Sequence, residues 1–135
     1  MIAPPGLIVV SHGIDLVEVR RIARLLDQHR DRFLEKCFTP RESAYARGTK
    51  RYPEHLAARF AAKEAALKAI GTGWRDGIAW TDVEVTIDPA GAPHLSVTGL
   101  AAHFATELGI TDWLVSLTHT TELAQASVIA CRRGS

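Results

Sequence analysis

An α+β fold is predicted from three features of this 135-residue chain. Helical and β-type apolar periodicities succeed one another without the regular strand–helix alternation of a parallel sheet. Two pairs of short β-branched runs flank turn residues, as hairpins do. The chain is 47% hydrophobic and 23% charged, ordinary for a globular domain able to build a core. No repeat or low-complexity stretch divides it, so residues 1–135 read as one domain.

The elements follow in order. Leu7 to Ser11 is a short apolar, β-branched run, predicted as a buried strand. After Gly13, Leu16, Val19, Ile22 or Ala23, and Leu26 recur at helical spacing, and the helix is expected to end near His29. Thr39-Pro40-Arg41-Glu42 predicts a helix start: Thr39 caps, Pro40 suits the first position, and Glu42 reaches back to complete a capping box. That helix should end around Gly48. Pro53-Glu54 opens the next helix, which runs to Ile70 and stops at Gly71 in the left-handed conformation. Thr81 to Ile87 and His94 to Val97 read as strands joined by the turn residues 88–93. Gly99 to Leu108 reads as a short helix. Trp113 to Thr118 and Ala124 to Cys131 read as a second hairpin around Thr120-Thr121-Glu122.

Net charge is +1, so no bulk basic field of the kind that holds nucleic acid is present. Cys37 and Cys131 lack metal-ligand spacing, and a reducing cytosolic setting is expected. The apolar run Leu7 to Val10 is too short for a signal peptide or a membrane span. No membrane or nucleic-acid partner is expected.

The most informative stretch is Arg59-Phe60-Ala61-Ala62-Lys63-Glu64-Ala65-Ala66-Leu67-Lys68. Glu64 and Lys68 are spaced i, i+4 with the acid first. In most proteins that is only a surface pair worth roughly 0.3–0.5 kcal/mol. Arg59 and Lys63, also i, i+4, repel each other unless an anion lies between them. Cations beside a carboxylate suit a magnesium–phosphate complex, because Mg²⁺ takes one or two protein carboxylates and completes its shell with water and phosphate oxygens. Asp15, after a strand and Gly13, reads either as a hard-cation ligand or as a helix cap with Glu18 reciprocating. Gly71-Thr72-Gly73 reads as a turn or as a loop lying against a nucleotide. His119 reads as an exposed strand end, a phosphate contact or a proton carrier. Arg20, Arg21, Arg24, Arg30 and Arg32 crowd the first helix and its exit, as a solvated face or a docking surface for an acidic protein.

Four motifs in order resemble the holo-[acyl-carrier-protein] synthase family, the small bacterial type of 4′-phosphopantetheinyl transferase. They are Gly13-Ile14-Asp15 with Arg21, Phe38-Thr39 with Glu42, the Arg59–Lys68 stretch, and Val115-Ser116-Leu117-Thr118-His119-Thr120. Ser11 stands where the family commonly has Gly, and Met1 to Gly6 looks like an extension beyond its usual start. The resemblance implies an antiparallel sheet packed with helices, a homotrimer with each active site at a subunit boundary, and a cytoplasmic enzyme of fatty-acid synthesis. Its reaction moves 4′-phosphopantetheine from coenzyme A to a serine of apo acyl carrier protein and releases adenosine 3′,5′-bisphosphate. Asp15 and Glu64 would bind Mg²⁺, and Lys68 would contact the pyrophosphate; these three form the catalytic set. Arg59, Lys63, Gly71 and His119 would lie along the coenzyme, with Arg20, Arg21 and Arg24 docking the acidic carrier. Glu64 is the candidate general base. Two alternatives are a transferase serving a polyketide or peptide synthase carrier domain and a non-catalytic trimeric binding module of the same fold. A generic nucleotide-binding protein has no support, since no P-loop or dinucleotide fingerprint is present.

Overall fold

In the computed structural model, which describes residues 2–75 and 77–134, strand β1 (Leu7–Glu18) leads into helix α1 (Val19–Cys37). Helices α2 (Pro40–Arg47) and α3 (Tyr52–Ile70) follow. A 3₁₀ turn over Trp80–Asp82 then opens the hairpin of β2 (Val83–Ile87) and β3 (Pro93–Val97). Helix α4 (Gly99–Glu107) and the strands β4 (Asp112–His119) and β5 (Leu123–Arg133) complete the chain. The long strands form one antiparallel sheet in the order β1–β5–β4, and β2–β3 form a second.

Helix α3 is the core. It buries thirteen of its nineteen residues, including Ala57, Ala58, Ala61, Ala62, Ala65, Ala66 and Ala69. A helix apolar nearly all round is enclosed on all sides. One wall is the inner face of the larger sheet, where Ala124, Ala126, Val128 and Ala130 of β5 are fully buried. Small side chains on both surfaces bring helix and sheet unusually close. Gly13 marks such an approach: a Cβ there would sit 1.9 Å from the Ala65 carbonyl oxygen. Ser11 fits the same contact by donating from its hydroxyl to the Ala69 carbonyl at 2.6 Å. The alanines thus serve the packing beneath the helix.

Sequence boundaries and structure agree in most places. The capping box at Thr39 is formed by both of its hydrogen bonds, and Gly71 ends α3 at φ 83°. The first strand is corrected. It does not stop at Ser11 but continues to Glu18, paired residue by residue with β5. The helical spacing seen from Leu16 was a coincidence of two periods: Leu16 points outward from the sheet and Val17 inward. Asp15 therefore sits within a strand, four residues before α1 begins, and the helix-cap reading fails; Glu18 occupies that position and makes no side-chain cap. The predicted end at His29 is a kink (φ −144°, ψ 40°), after which α1 resumes to Cys37.

Among the described residues, no helix is long and apolar enough to cross a membrane. Both cysteines are buried free thiols, and burial pushes Cys37 up to about 11, so it stays protonated at neutral pH.

Candidate active site

The close contact at Gly13 carries Asp15 of β1 to the C-terminal half of α3. Asp15 pairs across the sheet with Ala126 and, one strand further, Ala126 pairs with Leu117, so its side chain shares the inner face with theirs. The Lys68 ammonium donates to Asp15 Oδ1 and to the Ile14 carbonyl, both at 3.0 Å. Its side chain remains half exposed, while that of Asp15 is only 16% exposed. One turn before Lys68, Glu64 is half-buried. Burial raises its carboxyl above the usual carboxylate range, and the Asp15 charge raises it further; the Trp74 indole, Arg21 and Lys68 oppose both.

Two carboxylates from different elements thus share a desolvated corner with one exposed ammonium. Among the described residues, no cluster of three or more His, Cys, Asp or Glu side chains is assembled. Two carboxylate donors suit a hard divalent cation that keeps water and phosphate oxygens as its remaining ligands. Gly71 lies three residues beyond Lys68, and a Cβ there would meet nothing within 4 Å.

Lys63 requires a correction. Its side chain is 0% exposed, and its ammonium donates to Glu42 Oε1 at 2.7 Å, to the Trp80 carbonyl at 3.2 Å and to the Val83 carbonyl. It cannot reach a coenzyme phosphate. The requirement for an anion between Arg59 and Lys63 holds, but the anion is protein. Glu42 bonds Lys63 directly, and its charge partly restores the Arg59 pKa that burial lowers. Glu42 also accepts from the Val85 and Thr39 backbone N–H groups, so one carboxylate joins the α2 cap to the core of α3.

Arg59 is 1% exposed and lies with its guanidinium 4.5 Å from the Tyr45 ring centroid. It borders a cleft of about 240 Å³ together with Tyr45, His55, Leu117 and His119. Arg59 Nε and His119 Nδ1 are buried there without hydrogen-bond partners. The His55 and His119 rings lie 5.4 Å apart, and burial, then Arg59, then His119 lower the His55 pKa. An unpartnered guanidinium N–H beside an unpartnered imidazole nitrogen, a donor when that nitrogen carries the proton, suits an anion. His55 lies nine residues before Glu64 on α3, about 13 Å along the axis. His55 and Tyr45 were missed from sequence. Only the i, i+4 spacing of His55 and Arg59 hinted at the first, and nothing marked the second.

Arg20, Arg21 and Arg24 all lie exposed on α1. Arg20 is held by Glu18 at 3.4 Å. Arg21 reaches inward, with its guanidinium 5.4 Å from the Phe60 ring centroid. Further along α1 a mainly apolar cleft of about 290 Å³ is lined by Leu25, His29, Phe33, Phe60 and Trp80, with Arg32 and Lys36 at its rim.

The family model for the 4′-phosphopantetheinyl transferase superfamily matches residues 11–125, spanning every residue of both sites described above. The holo-[acyl-carrier-protein] synthase of Solibacter usitatus is 46% identical over 121 residues, covering 90% of this chain and 97% of that relative. The chain belongs to the holo-[acyl-carrier-protein] synthase family. Solved members share its fold. That of Neisseria meningitidis superimposes with a TM-score of 0.81 at 29% identity, covering 91% of this chain and 98% of its own. The Bacillus anthracis member, solved in complex with coenzyme A (3′,5′-ADP), gives 0.75 at 35% identity, covering 92% and 97%.

Proposed function

We propose that this protein transfers the 4′-phosphopantetheine arm of coenzyme A to a serine of an apo acyl carrier protein, with Mg²⁺ held by Asp15 and Glu64. The observation that carries the reading is the Asp15–Glu64–Lys68 corner, built where Gly13 lets β1 approach α3. A bound Mg²⁺ would neutralise charge on the pyrophosphate oxygens. Lys68 binds the same pyrophosphate with its exposed ammonium and stabilises charge on the leaving oxygen. The serine oxygen forms a bond to the pantetheine-side phosphorus, the bond to the bridging oxygen breaks, and adenosine 3′,5′-bisphosphate leaves. Glu64 takes the serine proton as the general base. Arg59 and His119 bind a phosphate of the coenzyme in their cleft, which places that role at the N-terminal half of α3 rather than at Lys63. Release of adenosine 3′,5′-bisphosphate should require coenzyme A and apo carrier together. Release without the carrier would mean hydrolysis and would contradict the assignment.

The carrier docks along α1. Its acidic side chains meet Arg20, Arg21 and Arg24, and the apolar cleft by Phe33 receives an apolar side chain. Arg21→Glu is expected to raise KM for the carrier about tenfold or more while leaving KM for coenzyme A within twofold. Steady-state kinetics with each substrate varied check this. A loss confined to coenzyme A would move Arg21 out of the docking surface.

A homotrimer completes the proposal. The outward face of the larger sheet exposes Ile14 (48%), Leu16 (59%) and Leu123 (40%), an apolar strip that none of the described elements covers. Sedimentation equilibrium should return the mass of three chains; a monomer would contradict this assembly.

A further inference from the structure

The cleft at the N-terminal half of α3 holds one more ionisable ring than phosphate binding by Arg59 and His119 uses. Tyr45 of α2 meets His55 edge-on with ring centroids 5.9 Å apart, and His55 lies 5.4 Å from His119 at the end of β4. Arg59 Nη1 donates to the His55 carbonyl at 3.3 Å, which ties the guanidinium to the residue carrying the second imidazole. Arg59 Nε and His119 Nδ1 are the buried atoms without partners. The charged and ionisable groups acting on His55 are Arg51, Glu54 and Arg59 of α3 and His119 of β4. The β2–β3 hairpin lines the cleft with Ile87, Gly91 and Pro93, none of them ionisable. Burial, then Arg59, then His119 hold the His55 imidazole below its usual range, so the ring is neutral at pH 7.

A phosphate dianion in this cleft reverses the balance. Its charge offsets Arg59 and favours a protonated imidazole beside it. The pyrophosphate of the coenzyme belongs to the Lys68 corner, so the phosphate left for this cleft is the 3′-monoester. A phosphate monoester loses its second proton near pH 6, roughly, and is a dianion at neutral pH. We propose that His55 is a specificity residue for coenzyme A: it takes up a proton from solvent when the 3′-phosphate dianion enters the cleft, and the imidazolium then donates to that phosphate. The inference rests on the reading that this cleft holds a phosphate of the coenzyme. It makes coenzyme binding proton-linked, with affinity falling as pH rises, because the complex holds one more proton than its separate parts.

Calorimetric titration with coenzyme A, without any carrier, tests this. Measured near pH 7.5 in two buffers of different ionisation enthalpy, it counts protons, and at that pH the phosphate is already a dianion. The wild-type protein should take up about half to one proton per coenzyme bound, and Kd should rise about three- to tenfold per pH unit above that point. His55→Phe, which keeps a ring against Tyr45, and His55→Gln should bind more weakly, with proton uptake and pH dependence both lost. Coenzyme A lacking its 3′-phosphate should bind the wild-type protein about tenfold or more weakly and take up no proton. Uptake that persists in both His55 variants would overturn the inference and pass the role to another group. Absence of uptake by the wild-type protein, with coenzyme A still preferred over the dephosphorylated form, would overturn the inference and leave the cleft a phosphate site. Equal affinity for the two forms would remove the reading on which the inference rests, and the inference with it.

Discussion

Glu64→Gln is expected to lower kcat by about 10²–10⁴-fold, the range a positioned general base contributes. The substitution keeps the size and one acceptor oxygen of the side chain but removes the negative charge and the proton-accepting capacity. The residue is half-buried on a helix whose other faces are packed, so the fold should persist, with an unchanged circular dichroism spectrum. Single-turnover kinetics with preformed carrier complex separate chemistry from binding. If Glu64→Gln turned over at the wild-type rate, Glu64 would not be the base.

Lys63→Met is expected to produce the largest loss of stability. The Lys63–Glu42 pair is fully enclosed, with both side chains at 0% exposure. Removing one partner of a buried pair typically costs about 3–5 kcal/mol, because the remaining charge is left without compensation. Glu42 would keep the Thr39 and Val85 N–H donors and the charge of Arg59 but lose its hydrogen-bonded ammonium. The carbonyls of Trp80 and Val83 would lose the ammonium as well. In thermal melts the midpoint should fall by roughly 10 °C or more. The double variant Lys63→Met with Glu42→Gln should be less destabilised than the sum of the two singles, because neutralising the second charge removes most of the penalty of the first. Additive losses would show that the two side chains do not interact in the folded protein.

The parts of the fold legible in the sequence were those with local causes. Thr39 and Glu42 cap α2 through atoms three residues apart, and Gly71 stops α3 through its own backbone freedom. The hairpins announced themselves by turn residues and β-branched runs. The end of β1 was not legible, because what keeps residues 12–18 extended is the ladder to β5, more than a hundred residues away in the chain. The kink at His29 instead of an end has the same origin: tertiary packing of Phe33, Leu34 and Cys37 holds the second half of α1 against the core.

The candidate site divides along the same line. Residue types and spacing singled out Asp15, Glu64 and Lys68, and folding brings them to one corner. Spacing could also say that Arg59 and Lys63 need an anion between them. It could not say that the anion was Glu42 from α2, since a helix wheel does not show which face is covered by a neighbouring element. That is why Lys63 reads as a phosphate ligand in the sequence and sits in the core of the structure. The ring contacts of Trp80 with Trp74 and Phe60 likewise depend on a loop returning to α3, an arrangement with no short-range signal.

The most direct test of the central claim is the intact mass of an apo acyl carrier protein after incubation with this protein, coenzyme A and Mg²⁺. The account predicts a gain of one phosphopantetheinyl group on the carrier serine, abolished when the divalent ion is chelated. A proven carrier substrate left at its apo mass by the folded protein, with Mg²⁺ present, would contradict it.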